Sequence, residues 1–148
     1  MELNGEHRFD APRSLVWSAL LDPRVLEATI PGCERLVEIA PRSYDLSMHV
    51  GIGALRGSYR GNVRVVEPRP EESYQIAVSG LGSPGSVNGN ALITLAANGE
   101  STMLQYRGEF SAQGGLARLG SRPLSGAARL LIGQFFRSLE RNLGARTP

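Results

Sequence analysis

The chain has 148 residues, of which 41% are hydrophobic, and its formal net charge is +2. This length fits one domain with a sizeable core, and we expect residues 1–148 to form a single domain. No apolar run approaches the roughly 20 residues that span a bilayer, and the charged N-terminus is unlike a signal peptide, so the sequence predicts a cytoplasmic protein.

The first thirty residues predict a strand and two short helices. Residues 2–9 alternate between apolar or small and polar side chains, which is the period of a strand. Asp10 is expected to cap a first helix, with Pro12 in its first turn, where a missing N–H costs little. Asp22 opens a second helix by the same logic, and the turn-forming residues 30–33 end it.

Residues 34–112 predict a long antiparallel meander of about six strands. Apolar and polar side chains alternate along each segment, and Asn98 and Gly99 form a hairpin turn. We expect residues 81–86 to be a flexible loop beside the mouth of a cavity. Glycines inside strand patterns permit sharp bending and therefore predict a strongly curved sheet; they are Gly57, Gly61, Gly80 and Gly108.

After Gly115 the hydrophobic period changes to that of a helix. We expect a helical turn, a bend at Pro123, and a main helix that runs from Leu124 to a stop at Gly144. The order of elements is typical of an α+β domain in which a curved antiparallel sheet of about seven strands packs against a long C-terminal helix.

The positive charge of the chain is concentrated at its C-terminal end. All 16 basic residues are arginine. From Gly114 onward six arginines face one acidic residue, Glu140, which gives +5 and leaves −3 for the remainder. This pattern indicates either a solvated helix face or a surface for anionic lipid or an acidic partner protein. The candidate contact residues are Arg129, Arg137 and Arg141.

The sequence offers few candidates for catalysis, and we predict no catalytic residue, metal or cofactor. His7 lies on the apolar face of its strand, where it is either a hydrogen-bonded core residue or a polar contact for a ligand. Cys33 has no histidine base nearby in the sequence and is interpreted as an inert buried thiol. No His, Cys, Asp and Glu pattern has metal-site spacing. The arginines do not interleave with aromatic residues, which argues against nucleic acid as a partner.

The inward-facing residues of the predicted sheet and helix favour an apolar pocket. A packed core is the alternative, but inward glycines remove volume from this space, and such pockets bind apolar ligands through few polar groups. A tyrosine or His7 would then hydrogen-bond a carbonyl of the ligand. The candidate lining residues are His7, Met48, Val50, Tyr59, Tyr74, Ile76, Val78, Tyr106, Phe110, Leu131 and Phe135.

Several short segments together resemble the CoxG family, which is named for a subunit of carbon monoxide dehydrogenase. This family is a branch of the superfamily that includes START domains, polyketide cyclases and birch-pollen-allergen-like proteins. The resemblance covers residues 1–143. The segments are Ala11-Pro12, Val16-Trp17, Asp22-Pro23, Ile30-Pro31-Gly32-Cys33, Leu119-Gly120-Ser121-Arg122 and Gln134-Phe135-Phe136.

The resemblance implies a helix-grip fold with a deep hydrophobic cavity. It also implies an accessory role beside a molybdenum-containing hydroxylase of the carbon monoxide dehydrogenase and xanthine oxidase kind. Such a protein carries a quinone or lipid-like molecule, or docks the enzyme peripherally at the cytoplasmic face of the membrane. Two alternatives stay open: a cyclase- or hydrolase-like enzyme that uses the cavity, and an assembly factor that acts by protein contact alone.

Overall fold

The computed structural model describes the backbone of residues 1–146. The side chains of Ala54, Ala145 and Arg146 lie outside this description, as do residues 147 and 148. Residues 147 and 148 of the predicted domain therefore lie outside the described residues. So does the side chain of Arg146, which is one of the six arginines counted from Gly114 onward.

Seven strands form one antiparallel sheet in the order β1-β7-β6-β5-β4-β3-β2. Strands β2 to β7 pair in chain order through hairpins, and β1 adds to the far side of β7. The strands are β1 (Glu2–Phe9), β2 (Cys33–Ala40), β3 (Ser43–Val50), β4 (Gly57–Arg69), β5 (Ser73–Gly82), β6 (Gly85–Asn98) and β7 (Ser101–Gln113).

Three α-helices lie against this sheet. They are α1 (Arg13–Leu21), α2 (Pro23–Thr29) and α3 (Ser121–Arg146), and two short 3-10 helices cover Gly53–Leu55 and Gly114–Leu119. Helices α1 and α2 connect the two edge strands, β1 and β2, and both pack against α3. The apolar face of α3 joins the core cluster formed by the inner face of the sheet. The predicted helix-grip fold is confirmed.

One of the two predicted helix caps is wrong. Asp22 caps α2 as expected, because its Oδ1 accepts a hydrogen bond from the backbone N–H of Arg24 at 2.9 Å. Asp10 does not cap α1. Pro12 takes the N-cap position instead, and the Asp10 carboxylate points to solvent, 3.6 Å from Arg8 Nε.

The long helix starts earlier and ends later than the sequence indicated. It begins at Ser121, so Pro123 falls in the first turn, where its missing N–H needs no intrahelical partner. The main helix therefore does not start at Leu124 behind a bend. Gly144 does not stop it either, because a helical glycine costs only about 1 kcal/mol and the buried Leu143 anchors this turn.

The expected loop over residues 81–86 is a tight hairpin. Strand β5 continues to Gly82 and β6 starts at Gly85, which leaves a turn of two residues, Ser83 and Pro84. Gly85 has φ of 143°, a backbone conformation that favours glycine. The hairpin stands away from the cavity described below, and Leu81 on its outer face is exposed.

Glycines of β1, β6 and β7 make room for aromatic rings rather than for empty space. A Cβ at Gly5 would lie 2.7 Å from the hydroxyl of Tyr106, its partner in the sheet. A Cβ at Gly89 or Gly108 would collide with the ring of Phe110. The space above these glycines is therefore filled by side chains from the neighbouring strand.

Candidate ligand-binding cavity

An apolar cavity of about 260 Å³ lies between α3 and the half of the sheet formed by β2 to β5. Helices α1 and α2 close it on one side. The structure places no charged side chain among its lining residues, which are Leu20, Leu26, Ile30, Pro31, Leu36, Tyr44, Leu46, Met48, Val63, Val65, Tyr74, Ile76, Leu131, Ile132 and Phe135.

The periodicities of strand and helix bring these side chains together. Alternate residues of a strand point to the same face, so Tyr44, Leu46 and Met48 of β3 all face inward. On the other wall, Leu131 and Phe135 are four residues apart and lie on one face of α3. The cavity therefore follows from the alternation of β3, β4 and β5 under a single face of the helix.

Two tyrosines supply the hydroxyl groups of this lining. The Tyr44 hydroxyl donates a hydrogen bond to the Leu21 carbonyl at 3.0 Å. The Tyr74 ring is 5% exposed and packs edge-on against Trp17, with ring centroids 5.5 Å apart. Burial raises the pKa of both hydroxyls above the usual tyrosine value, so both groups stay protonated.

Five of the eleven lining residues predicted from the sequence contribute to this cavity: Met48, Tyr74, Ile76, Leu131 and Phe135. The structure places the other six elsewhere. Val50 is buried in the core, Val78 lies half-buried on the inner face of β5, and the Tyr59 hydroxyl donates to the Leu55 carbonyl at 2.8 Å. Tyr106 and Phe110 cover the glycines described above.

His7, the sixth, belongs to a region that we call the packed flank: the aromatic cluster of His7, Phe9, Tyr106 and Phe136 between α3 and strands β1 and β7. The His7 Nε2 donates to the Glu140 carboxylate of α3 across 3.0 Å, because an ionised carboxylate only accepts. The His7 ring lies 4.6 Å from that of Phe9 and 5.4 Å from that of Phe136. His7 thus joins α3 to the sheet edge and does not contact the cavity.

The sequence interpretation missed ten lining residues. For four of them the signal was present, because Tyr44, Leu46, Val63 and Val65 continue the inward alternation of β3 and β4. The other six are contributed by elements whose approach to the cavity has no local sequence signature: Leu20, Leu26, Ile30, Pro31, Leu36 and Ile132.

A second concave surface lies on the outer face of β2 to β6. It is larger, about 760 Å³, but it is open to solvent, and its lining mixes exposed apolar residues such as Val37, Ile39 and Leu81 with charged ones such as Arg35 and Asp45. A surface that is open to solvent desolvates an apolar molecule less than a cavity between sheet and helix does. The smaller cavity under α3 is therefore the candidate ligand site.

The arginines predicted to contact a partner are exposed on the outer face of α3. Arg129, Arg137 and Arg141 all point to solvent, and Leu130 beside them is 55% exposed. None of the acidic side chains that the structure describes lies within ion-pair distance of these arginines. This face combines unneutralised positive charge with an exposed apolar residue.

The described residues contain no cluster of His, Cys, Asp and Glu that fits a metal ion. Cys33 is half-buried at the start of β2, and burial raises the pKa of its thiol, with the Glu27 carboxylate adding to the effect. Within residues 1–146, no helix is both long and apolar enough to cross a bilayer.

Comparison with known proteins decides the family. The sequence model of the carbon monoxide dehydrogenase subunit CoxG matches residues 5–144, nearly the whole chain. The chain belongs to the CoxG family. Among curated proteins, none is significantly similar to it in sequence.

Solved structures agree with the fold of this CoxG-family chain. A conserved protein from Geobacillus kaustophilus is 34% identical, with a TM-score of 0.94 over 98% of this chain and 96% of that one. A START superfamily protein from Mycobacterium smegmatis has a TM-score of 0.78 at 14% identity, over 99% of both chains. The Zhui aromatase/cyclase from a Streptomyces species has a TM-score of 0.71 at 14% identity, over 99% of this chain and 94% of that one.

The segments that carried the CoxG resemblance have definite places in the structure. In the segment Gln134-Phe135-Phe136, consecutive residues of α3 face different surroundings. Phe135 lines the cavity, and Phe136 belongs to the packed flank. Ile30 and Pro31 form part of the cavity wall. Gly32 has φ of 72° and lies so close to the His49 carbonyl that a Cβ would collide with it.

Proposed function

We propose that this CoxG-family protein carries an apolar small molecule, such as a quinone, in the cavity under α3. The observation that carries the proposal is an apolar cavity of about 260 Å³ between sheet and helix in a chain of this family. Binding sites for small molecules combine an apolar lining with a few polar groups, and Tyr44 and Tyr74 are the polar groups of this lining.

The volume limits what the cavity accommodates. Pockets for drug-sized ligands occupy about 300–1,000 Å³, whereas a cavity of about 150 Å³ accepts benzene. A space of about 260 Å³ is thus suited to a head of one or two rings. A longer isoprenoid or acyl tail would extend beyond it.

The carrier role is favoured over catalysis by the position of the titratable groups. The His7–Glu140 pair, which resembles an acid–base pair in composition, lies in the packed flank and is used to hold α3. The tyrosines that line the cavity stay protonated, so neither acts as a base near neutral pH. A cyclase- or hydrolase-like reaction would need a base that this lining does not provide.

We further propose that the partner is a molybdenum-containing hydroxylase of the carbon monoxide dehydrogenase kind. The support is membership of the CoxG family, whose name describes a subunit of that enzyme. The protein would act as its accessory subunit and present the carried molecule to it.

The exposed face of α3 is the proposed contact with an anionic membrane. Arg129 and Arg137 lie eight residues apart, about 2.2 helical turns, so they are rotated by about 80° from one another, and Leu130 lies within about 20° of Arg137 around the helix; all three are exposed on one sector of α3. Each arginine near an anionic bilayer contributes about 1 kcal/mol of attraction, and an exposed leucine adds apolar contact.

Native mass spectrometry with a panel of short-chain quinones tests the carrier function. We expect a one-to-one complex with the wild type. Val63→Phe inserts a ring into the cavity and should abolish the complex, whereas Val66→Phe places the same ring on the outer face of β4 and should preserve it. Ile76→Phe repeats the test if Val63→Phe does not fold. A complex that survives both inward substitutions would contradict the proposal.

Vesicle sedimentation tests the membrane contact. The wild type should bind vesicles of phosphatidylcholine with phosphatidylglycerol and not vesicles of phosphatidylcholine alone. The double variant Arg129→Glu, Arg137→Glu should lose binding, and a matched pair on the outer sheet face, Arg64→Glu with Arg107→Glu, should retain it. If both double variants lost vesicle binding equally, binding would depend on the net charge of the protein alone, and the proposed contact through α3 would be contradicted.

Copurification with the hydroxylase subunits tests the partner. A stable complex is expected with wild type, whether or not the cavity is blocked by Val63→Phe. A complex that forms while no quinone binds under any condition would instead favour an assembly factor acting by protein contact.

A further inference from the structure

The hydroxyl of Tyr74 is a hydrogen-bond donor without a protein partner. Tyr74 is 5% exposed, it lines the cavity, and its hydroxyl makes no hydrogen bond with any residue that the structure describes. Among the described residues, the fully buried side-chain polar atom without a partner is Asn142 Oδ1, so the Tyr74 hydroxyl keeps some accessible surface. Because Tyr74 lines the cavity, a molecule bound there is in a position to accept a hydrogen bond from this hydroxyl.

Two other tyrosines of the sheet differ from Tyr74 in this respect. The Tyr44 hydroxyl donates to the Leu21 carbonyl, and the Tyr59 hydroxyl donates to the Leu55 carbonyl. Both donors are therefore satisfied by the protein itself. Of the two tyrosines that line the cavity, Tyr74 is the one whose O–H remains available to a ligand.

The surroundings of Tyr74 hold its hydroxyl in place. Its ring packs edge-on against Trp17 of α1, and its backbone is paired with Ile93 in the interior of the sheet. The hydroxyl cannot swing out to solvent without breaking this packing. Burial raises its pKa, and the nearby Tyr44 hydroxyl adds to the effect, so the group remains a donor and does not become an acceptor anion.

The absence of charged side chains from the described cavity lining also limits which ligands can bind. The chain has 16 arginines, yet none of them lines the cavity, and neither described histidine does. A carboxylate or phosphate that entered would lose its hydration without gaining a cation, which is costly. The cavity therefore favours a neutral molecule.

We infer that Tyr74 determines ligand specificity by donating a hydrogen bond to a carbonyl or ether oxygen on the buried end of a neutral, apolar, one- or two-ring ligand. The inference rests on the proposed carrier function and names the ligand class of the same cavity. It excludes hydrocarbons and acids of equal size as preferred ligands.

Three probes of matched size test this class by equilibrium dialysis: menadione, which has two carbonyl groups, methylnaphthalene, which has none, and naphthoic acid, which is anionic. The wild type should bind menadione more tightly than either of the others. Tyr74→Phe should weaken menadione binding about five- to tenfold, the worth of one neutral hydrogen bond, and should leave methylnaphthalene binding unchanged.

A stability measurement separates a ligand contact from a structural role. Without ligand, Tyr74→Phe should not lower Tm, because the deleted hydroxyl has no protein partner to lose. Tyr44→Phe and Tyr59→Phe are the matched controls, and each should lower Tm because it removes a bond to a carbonyl. A lower Tm for Tyr74→Phe than for these controls would overturn the inference.

The outcomes distinguish this inference from the function on which it rests. If wild type binds menadione and methylnaphthalene equally and Tyr74→Phe changes neither, the inference is overturned while the carrier function stands. If none of the three probes binds to the wild type at all, the carrier function fails, and the inference fails with it.

Discussion

The space beneath α3 is divided into two flanks of different construction. On the packed flank, rings from β1, β7 and α3 fill the space, and the His7–Glu140 pair joins helix to sheet. On the other flank, which we call the open flank, β2 to β5 and α2 leave a cavity of about 260 Å³.

The two flanks differ in the side chains that they place against α3. Phe136 contacts three rings of the packed flank, with centroids 5.4–5.9 Å apart. The neighbouring Phe135 lines the cavity instead. One helix can thus be held firmly along one side and leave room for a ligand along the other.

The largest expected effect is the loss of an aromatic side chain from the packed flank. Phe136→Ala should lower the free energy of unfolding by about 3–5 kcal/mol, because it leaves a cavity among three rings. Leu131→Ala on the open flank should cost less than about 2 kcal/mol, since part of its surroundings is already empty. Chemical denaturation measures both, and equal costs would break the distinction between the flanks.

A smaller effect is expected from the bond that joins α3 to β1. Glu140→Gln keeps the shape of the side chain and removes its charge, so it should lower the free energy of unfolding by up to about 1 kcal/mol, the range of a partly exposed pair. Ligand affinity should not change, because the pair lies outside the cavity. A large loss of affinity with unchanged stability would place Glu140 in the ligand site.

The smallest effect concerns Cys33, which lies beside the open flank. Because burial raises the pKa of its thiol, less thiolate is present at a given pH than in a free cysteine. Alkylation by iodoacetamide should therefore be slower than for glutathione at neutral pH and should accelerate as the pH rises. A rate equal to or above that of glutathione would show that this edge of the flank opens readily.

Periodicity predicted the sheet and the long helix, because alternation and helical spacing are local properties of the sequence. The Asp22 cap and the hairpin between β6 and β7 were equally local and were predicted, but the turn lies one residue later than expected, at Gly99 and Glu100, because Asn98 still pairs with Ser101. The start of α3 was not, because Pro123 is compatible with both the first turn of a helix and a bend, and only the packed structure decides between them.

The candidate site was predicted only in part, for a physical reason. Alternation tells which residues of a strand face inward, but it does not tell which inward positions meet a ring and which meet a gap. His7 and Tyr106 share the inward face with Tyr74, yet the first two lie in the packed flank. Whether an inward residue belongs to the packed flank or to the open flank depends on how α3 crosses the sheet. A local sequence pattern does not contain this information.

The single tryptophan gives the most direct test of the central claim, that the open flank holds the ligand. Trp17 packs on Tyr74, at the cavity wall, and a bound quinone should quench its fluorescence in a saturable way. The account predicts that titration with a short-chain quinone quenches wild type and Val66→Phe alike and leaves Val63→Phe unquenched. Saturable quenching of equal depth and midpoint in Val63→Phe would contradict it.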